Sequence, residues 1–275
     1  PAEVTAAAVV PTPTPAALPT LPPVPVRDVL MGGVLAWIGT TGGPAGTPRT
    51  GQVALIAPDG TISTLIDAPN IATPARACSE RPASGDLFAF FVGGERGTLY
   101  MMRGATPPVA IAETDYLACL GMGTFAWSPN GGRFAFIDYP AGATRAEYTA
   151  GVLRTYDSTD FAPVAAIDNV SAFALGLEDA LLLRFYPSAR GIAEEAAVLV
   201  WEHGADTPRE IATLLPTESG CRFTSGQIVR DGGDGLLIMG QRCTRGDTAT
   251  RSQLYTVSMG DGAATLDSTD SHPGA

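Results

Sequence analysis

Between Gly123 and Asp138 the chain reads GTFAWSPNGGRFAFID: Phe125 and Trp127 alternate with small residues, Ser128-Pro129-Asn130-Gly131-Gly132 intervenes, and Phe134 and Phe136 resume the alternation. A period of two belongs to a strand with one face buried, and Pro, Asn and Gly supply the restricted or positive φ that a tight turn needs. The stretch predicts a complete β-hairpin.

Used as a ruler, this hairpin recurs. Its second strand has counterparts at Leu35–Ile38, Phe88–Phe91, Phe134–Ile137, Leu181–Arg184 and Leu236–Met239, so the starts 35, 88, 134, 181 and 236 lie 53, 46, 47 and 55 residues apart. A third strand follows each at Gln52–Ile56, Thr98–Met102, Val152–Tyr156, Val198–Glu202 and Gln253–Val257. A fourth follows at Ile62–Ile66, Val109–Ala112, Val164–Ile167, Glu210–Leu214 and Ala263–Leu266. Four strands repeated in fixed order predict an all-β fold, a five-bladed β-propeller of four-stranded antiparallel blades over residues 26–270. The blades fall near 26–70, 71–115, 116–169, 170–218 and 219–270, with 271–275 as a C-terminal tail. A β-sandwich has no reason to repeat its strands in this way.

The first blade leaves alternatives. Its innermost strand is read as Val26 to Met31, turning at Gly32-Gly33. The other readings are a closing strand from the C-terminus, or a chain whose further blades follow Ala275.

The run Trp127-Ser128-Pro129-Asn130-Gly131 followed by a short apolar strand resembles the repeat of the Tol-system periplasmic propeller and related WD-type propellers. The resemblance extends at repeat level over roughly Val26 to Leu266. It implies a protein that binds partners in the periplasm, although no companion domain of the Tol type is present in these residues. On the same pattern Trp127 and Phe136 read as core between blades, not as a binding box.

Pro1 to Val26 is rich in Pro, Ala and Thr and predicts an extended, polyproline-like N-terminal tether, residues 1–25, rather than a helix. The first residue is not Met, and signal peptidases rarely cleave before proline, so a secretory signal or lipid anchor upstream of Pro1 is expected. No apolar run approaches the roughly 18 residues that span a bilayer.

Composition narrows the partners. The formal charge is −11, and the 17 basic residues are all arginine. A charge of that sign argues against nucleic acid and anionic membrane, leaving other proteins, sugars and cations. The arginine bias and the abundance of Ala, Gly and Pro fit a GC-rich bacterial source.

Four cysteines, Cys78, Cys119, Cys221 and Cys243, lack metal-ligand spacing. Positions 221 and 243 are centred on the turn Asp231-Gly232-Gly233-Asp234-Gly235, which sets them opposite each other across a hairpin. Cys221–Cys243 is thus the first disulfide candidate, and Cys78–Cys119 follows by elimination; four buried free thiols are the alternative. Disulfides fit an extracytoplasmic, oxidising compartment.

Catalytic chemistry is sparse. The only histidines are His203, expected exposed at a strand end, and His272 in the C-terminal tail, which leaves little room for Ser-His-Asp or Cys-His machinery. Glu80, Glu178 and Asp179 are the acids near inner strands, candidates for a channel or rim site of the glycosidase type or for plain turn residues. Arg76 and Arg222 are further rim candidates, able to bind carboxylate or sugar groups, or to pair with Glu80 or Asp231. Asp231 and Asp234 suggest calcium but match no calcium-loop spacing, so turn chemistry is the better reading and no cofactor or metal is expected. Asn169-Val170-Ser171 is a formal glycosylation sequon. These features favour a non-enzymatic interaction or structural subunit, with a carbohydrate-binding or carbohydrate-cleaving propeller as the rival.

Overall fold

In the computed structural model of the chain, the described residues are 34–39, 49–56, 59–71, 76–80, 82, 86–94, 96–103, 106–119, 125–140, 150–187, 193–216, 220–231, 234–243 and 250–257. Almost all of them lie in antiparallel strands that pair with their neighbours in sequence, forming five successive meanders.

The first meander has β1 (Val34–Gly39), β2 (Arg49–Ile56) and β3 (Ile62–Ile71). The second has β4 (Arg76–Glu80), β5 (Leu87–Gly93), β6 (Arg96–Arg103) and β7 (Val109–Asp115), followed by a single 3-10 turn, Tyr116–Cys119. The third has β8 (Phe125–Trp127), β9 (Arg133–Asp138), β10 (Gly151–Asp157) and β11 (Pro163–Val170). The fourth has β12 (Ala172–Leu175), β13 (Asp179–Pro187), β14 (Ala193–Glu202) and β15 (Arg209–Leu214). The fifth has β16 (Cys221–Asp231), β17 (Asp234–Cys243) and β18 (Thr250–Val257). One pairing, Ala193 with Phe223, joins the last two meanders into a seven-stranded sheet.

Every second and third strand expected from the repeat falls inside one of these elements, as do four of the five fourth strands. The tether, the strand expected over Val26 to Met31, the strand expected over Ala263 to Leu266, and His272 lie outside the described residues.

The ruler hairpin folds as its residues dictate. Trp127 pairs with Phe134 and Phe125 with Phe136. In the turn, Asn130 Oδ1 accepts from Ser128 Oγ at 2.8 Å and from the Gly132 N–H at 2.9 Å, while Ser128 Oγ accepts from the Arg133 N–H at 3.0 Å. Gly131 has φ 70°, which only glycine adopts without penalty.

Alternation explains the stacking. On β5, Phe88, Phe90 and Val92 enter a core shared with Val53 and Leu55 of the first meander, whereas Leu87, Ala89 and Phe91 enter one shared with Phe134 and Phe136 of the third. On β13, Ala180 and Leu182 face the third meander, and Leu181, Leu183 and Phe185 face the fifth. A middle sheet buried on both faces can only be packed between two others. Serial face-to-face stacking of four-stranded meanders is the arrangement of propeller blades.

Polar contacts span these cores. The Trp127 indole N–H donates to the Glu80 carbonyl at 3.2 Å, tying β8 to β4. Thr114 Oγ1 donates to Asp138 Oδ1 at 3.0 Å, joining the second meander to the third, and within the third Arg154 Nε donates to Asp138 Oδ2 at 2.8 Å. Arg184 donates to the carbonyls of Asn169 and Asp168 at 3.0 and 2.9 Å. Both disulfides are formed, Cys78–Cys119 with Cα atoms 6.0 Å apart and Cys221–Cys243 with Cα atoms 4.0 Å apart. They indicate an oxidising environment. Among the described residues, no helix is long and apolar enough to cross a membrane.

Candidate functional site

The innermost strands lie side by side, β4 by β8, β8 by β12 and β12 by β16. Their turn ends are level: Glu80 at the end of β4 meets Trp127 at the end of β8, and Asp179 beyond β12 meets Arg230 near the end of β16. Among the described residues, the strand ends that lead into the turns joining first to second and third to fourth strands therefore share one face of the molecule.

This turn face is acidic. Asp59, Glu80, Asp86, Asp157 and Asp160 occupy its turns or strand ends in the first three meanders, and Glu178, Asp179, Glu202, Asp206, Asp231 and Asp234 do so in the last two. Those are eleven acids against four arginines among the described residues, Arg103, Arg133, Arg209 and Arg230. The opposite strand ends mix the signs, with Arg96, Arg222 and Arg242 beside Asp115, Asp138 and Asp168. Eleven of the nineteen acids among the described residues thus lie on one side.

The candidate residues divide between the two faces. Arg76 begins β4 and Arg222 lies at the start of β16, on the mixed face, while Glu80, Glu178 and Asp179 are on the acidic face. Arg222 and Asp231 stand at opposite ends of the eleven-residue β16, too far apart to pair; Arg222 instead lies opposite Arg242. The side chains of Arg76 and Asp231 are outside the description. Asp231 pairs with Asp234 across the hairpin turn, and among the described residues no group of three metal-ligating side chains assembles.

Glu80 reaches solvent, yet the protein around its carboxyl removes enough water to raise it above the ordinary carboxylate value. Asp179 is not available as a free carboxylate, because it forms an ion pair with Arg230 of the next meander. Gly176 makes room for that pair: a Cβ there would strike both Asp179 Oδ1 and the Arg230 guanidinium. Beside it Leu177 is 56% exposed, an apolar knob on a charged face. Asp59 and Asp157 are held below the ordinary value by hydrogen bonds from the backbones of Thr61 and Thr159, so both remain anionic.

No family model matches this chain, and no curated protein does. Several solved structures resemble it at low identity. One is the acylaminoacyl peptidase of Pyrococcus horikoshii, at 11% identity and TM-score 0.45, over 71% of this chain and 33% of that one. The β-propeller domain of the Trilobed protease from Pyrococcus furiosus matches at 10% identity and TM-score 0.41, over 72% of this chain and 58% of that one. The N-terminal domain of Nup159 matches at 10% identity and TM-score 0.43, over 90% and 64%. The chain spans about a third of the peptidase and somewhat over half of the protease domain.

His203 was expected to be exposed; it is half-buried instead. Its ring packs on Trp201 with centroids 5.1 Å apart, its backbone N–H donates to the Glu178 carbonyl at 2.9 Å, and Nε2 is buried with no hydrogen-bond partner. Trp201 faces the third meander, and the alternation on β9 that buries Ala135 and Ile137 directs Arg133 into the same gap, where its own NH1 is buried without a partner. Burial first, and the Arg133 charge second, hold the imidazole below its ordinary value of 6.5, against the opposing influence of Asp179, Glu178 and the Leu177 backbone. A folded value below the unfolded one means that, as pH falls through 6.5, the unfolded chain takes a proton the folded chain refuses, and stability is lost. His203→Gln is therefore expected to gain stability relative to the wild type as the pH drops below 6.5, with no gain above it. Parallel thermal melts across that range check this, and equal slopes for the two proteins would show that His203 does not titrate against folding.

Proposed function

We propose that this chain is an extracytoplasmic interaction subunit of bacterial origin: a five-bladed β-propeller, its first and last meanders closing on each other, carried on the Pro-rich tether and recognising a cationic protein surface through the acidic turn face. It works by binding, without a catalytic site or cofactor. The observation that carries this reading is the charge asymmetry, eleven acids against four arginines among the described residues of one face and mixed signs on the other. A one-signed face steers an oppositely charged partner and rejects wrong ones. Leu177 supplies an apolar contact within it. The two disulfides support the compartment, and the likeness of the Gly123–Asp138 hairpin to Tol-type repeats supports a role in partner binding.

Photocrosslinking residues placed at Leu177 and at Arg242, on opposite faces, test it in the secreted chain. Adducts with a partner protein are expected from Leu177 and not from Arg242, and they should weaken as ionic strength rises past about 0.15 M. The triple variant Glu178→Arg, Glu202→Arg, Asp206→Arg should lose them. Adducts only from Arg242, or adducts indifferent to salt and to charge reversal, overturn the proposal.

The raised carboxyl of Glu80 favours a second reading, a carbohydrate-active propeller, since a glycosidase acid needs such a shift. A glycan array with a hydrolysis screen distinguishes them; turnover abolished by Glu80→Gln would establish the second.

A further inference from the structure

The four outer strands share an irregularity. In the first meander Val53 pairs with Ile66 and Ala54 with Thr64, leaving Leu65 as an extra residue. Ile111 is extra in the second, between the pairs Leu99–Ala112 and Tyr100–Ala110. Val164 is extra in the third, between Thr155–Ala165 and Tyr156–Pro163, and Ile211 in the fourth, between Val198–Ala212 and Leu199–Glu210. Each is a bulge on the outer strand, one to three pairs from the turn, and each is aliphatic.

A bulge has a packing consequence. It lets two consecutive side chains lean toward the same core, as Leu65 with Ile66, Ile111 with Ala112, and Ile211 with Ala212 all do. It also breaks the regular outward spacing of N–H and C=O groups along the free edge and increases the local twist. Proline recurs on the same strands or at their start: Pro69 lies within β3 at its second register shift, between the pairs Gly51–Ala68 and Arg49–Ile71, Pro108 immediately precedes β7, Pro163 opens β11, and Pro208 immediately precedes β15. Proline has no N–H to offer an added strand, so it is confined to edges and deepens the interruption. Charged side chains complete the pattern, Glu113 on β7, Asp168 on β11 and Glu210 on β15.

We propose that the outer strands are guarded edges, each carrying at least one bulge and a nearby proline so that neither a second copy of this chain nor another protein adds a strand around the rim. A propeller leaves one free edge per blade, and an unguarded edge is a template for association. Contacts with other chains are then left to the two faces. This inference is independent of the partner proposed above, because it concerns where association cannot occur.

The test removes one guard. In the variant Pro108→Thr with Ile111 deleted, the ladder between β6 and β7 becomes continuous and the missing donor is restored. Light scattering after size exclusion should show about a twofold or greater rise in weight-average mass over the wild type at equal concentration, as the freed edge pairs. Ile111→Ala, which loses packing but keeps the bulge, should retain the wild-type mass. A folded deletion variant of wild-type mass overturns the proposal, and so does Ile111→Ala associating as strongly as the deletion. If the β7 deletion prevents folding, the matching change in β15, Pro208→Thr with Ile211 deleted, repeats the test in another meander. Hydrogen exchange on the wild type reads the premise without any variant: the Leu65, Ile111, Val164 and Ile211 amides should exchange faster than their paired neighbours, and equal protection overturns it.

Discussion

Removing the Cys78–Cys119 bridge with the double variant Cys78→Ala, Cys119→Ala is expected to lower the free energy of unfolding by about 4 kcal/mol. The bridge links β4, the first strand of the second meander, to the 3-10 turn that follows its last strand, β7, with 41 residues of separation. It therefore closes a whole sheet into a covalent loop. In the chain-entropy account the cost grows with the logarithm of loop length, so the Cys221–Cys243 bridge, with a separation of 22, is worth somewhat less, about 3 kcal/mol. The second bridge also joins directly opposed residues of one hairpin whose ten-residue ladder would hold them near each other without it. Cys78 and Cys119 have only packing to do so. Denaturant unfolding of the two double variants beside the wild type checks both the size and the order. A loss below about 1 kcal/mol for Cys78→Ala, Cys119→Ala would mean that contacts between β4 and the 3-10 turn already hold the loop closed in the unfolded ensemble.

The repeat was legible because alternation and turn chemistry are local. Asp231 and Asp234 close a hairpin whose register follows by counting outward, which is why the pairing of Cys221 with Cys243 could be read from spacing and appears in the ladder. The long-range polar pairs had no such signal. Asp179 meets Arg230 across 51 residues, and nothing in either neighbourhood names the other. His203 misled for a related reason: a histidine before a Gly turn looks exposed on its own strand, and its burial comes from Trp201 and the adjacent meander. The candidate site was half legible. Glu178 and Asp179 could be placed at a turn, but an acidic face exists only once five meanders are stacked with their turns level. The bulges did leave a mark, since Leu65-Ile66, Ile111-Ala112 and Ile211-Ala212 break the period of two. A doublet of that kind is ambiguous until a partner strand supplies the register.

Phe136→Ala should cost about as much as the loss of a disulfide, about 3–5 kcal/mol. Phe136 has no solvent exposure, stacks on Tyr156 with centroids 6.0 Å apart, and shares its core with Leu87, Phe91 and Leu99 of the second meander. Truncation leaves a ring-sized void between two sheets. Neither sheet can readily collapse into it, because the opposite face of β9 is occupied by Ala135 and Ile137 packed on the fourth meander. Phe125 tests this reasoning from the same hairpin. It pairs with Phe136 and meets Phe134 in a T-shaped arrangement with ring centroids 4.9 Å apart, but it is only half-buried, at the margin of the core. Phe125→Ala should therefore cost about 1–2 kcal/mol, since water or small shifts can fill the space it leaves. Equilibrium unfolding of both variants decides the matter. Similar losses for the two would mean that the hairpin, and not the junction between the second and third meanders, is the unit that Phe136 stabilises. A larger loss for Phe136→Ala locates its contribution in the sheet-to-sheet contact, the same contact that brings the acidic turns of successive meanders onto one face.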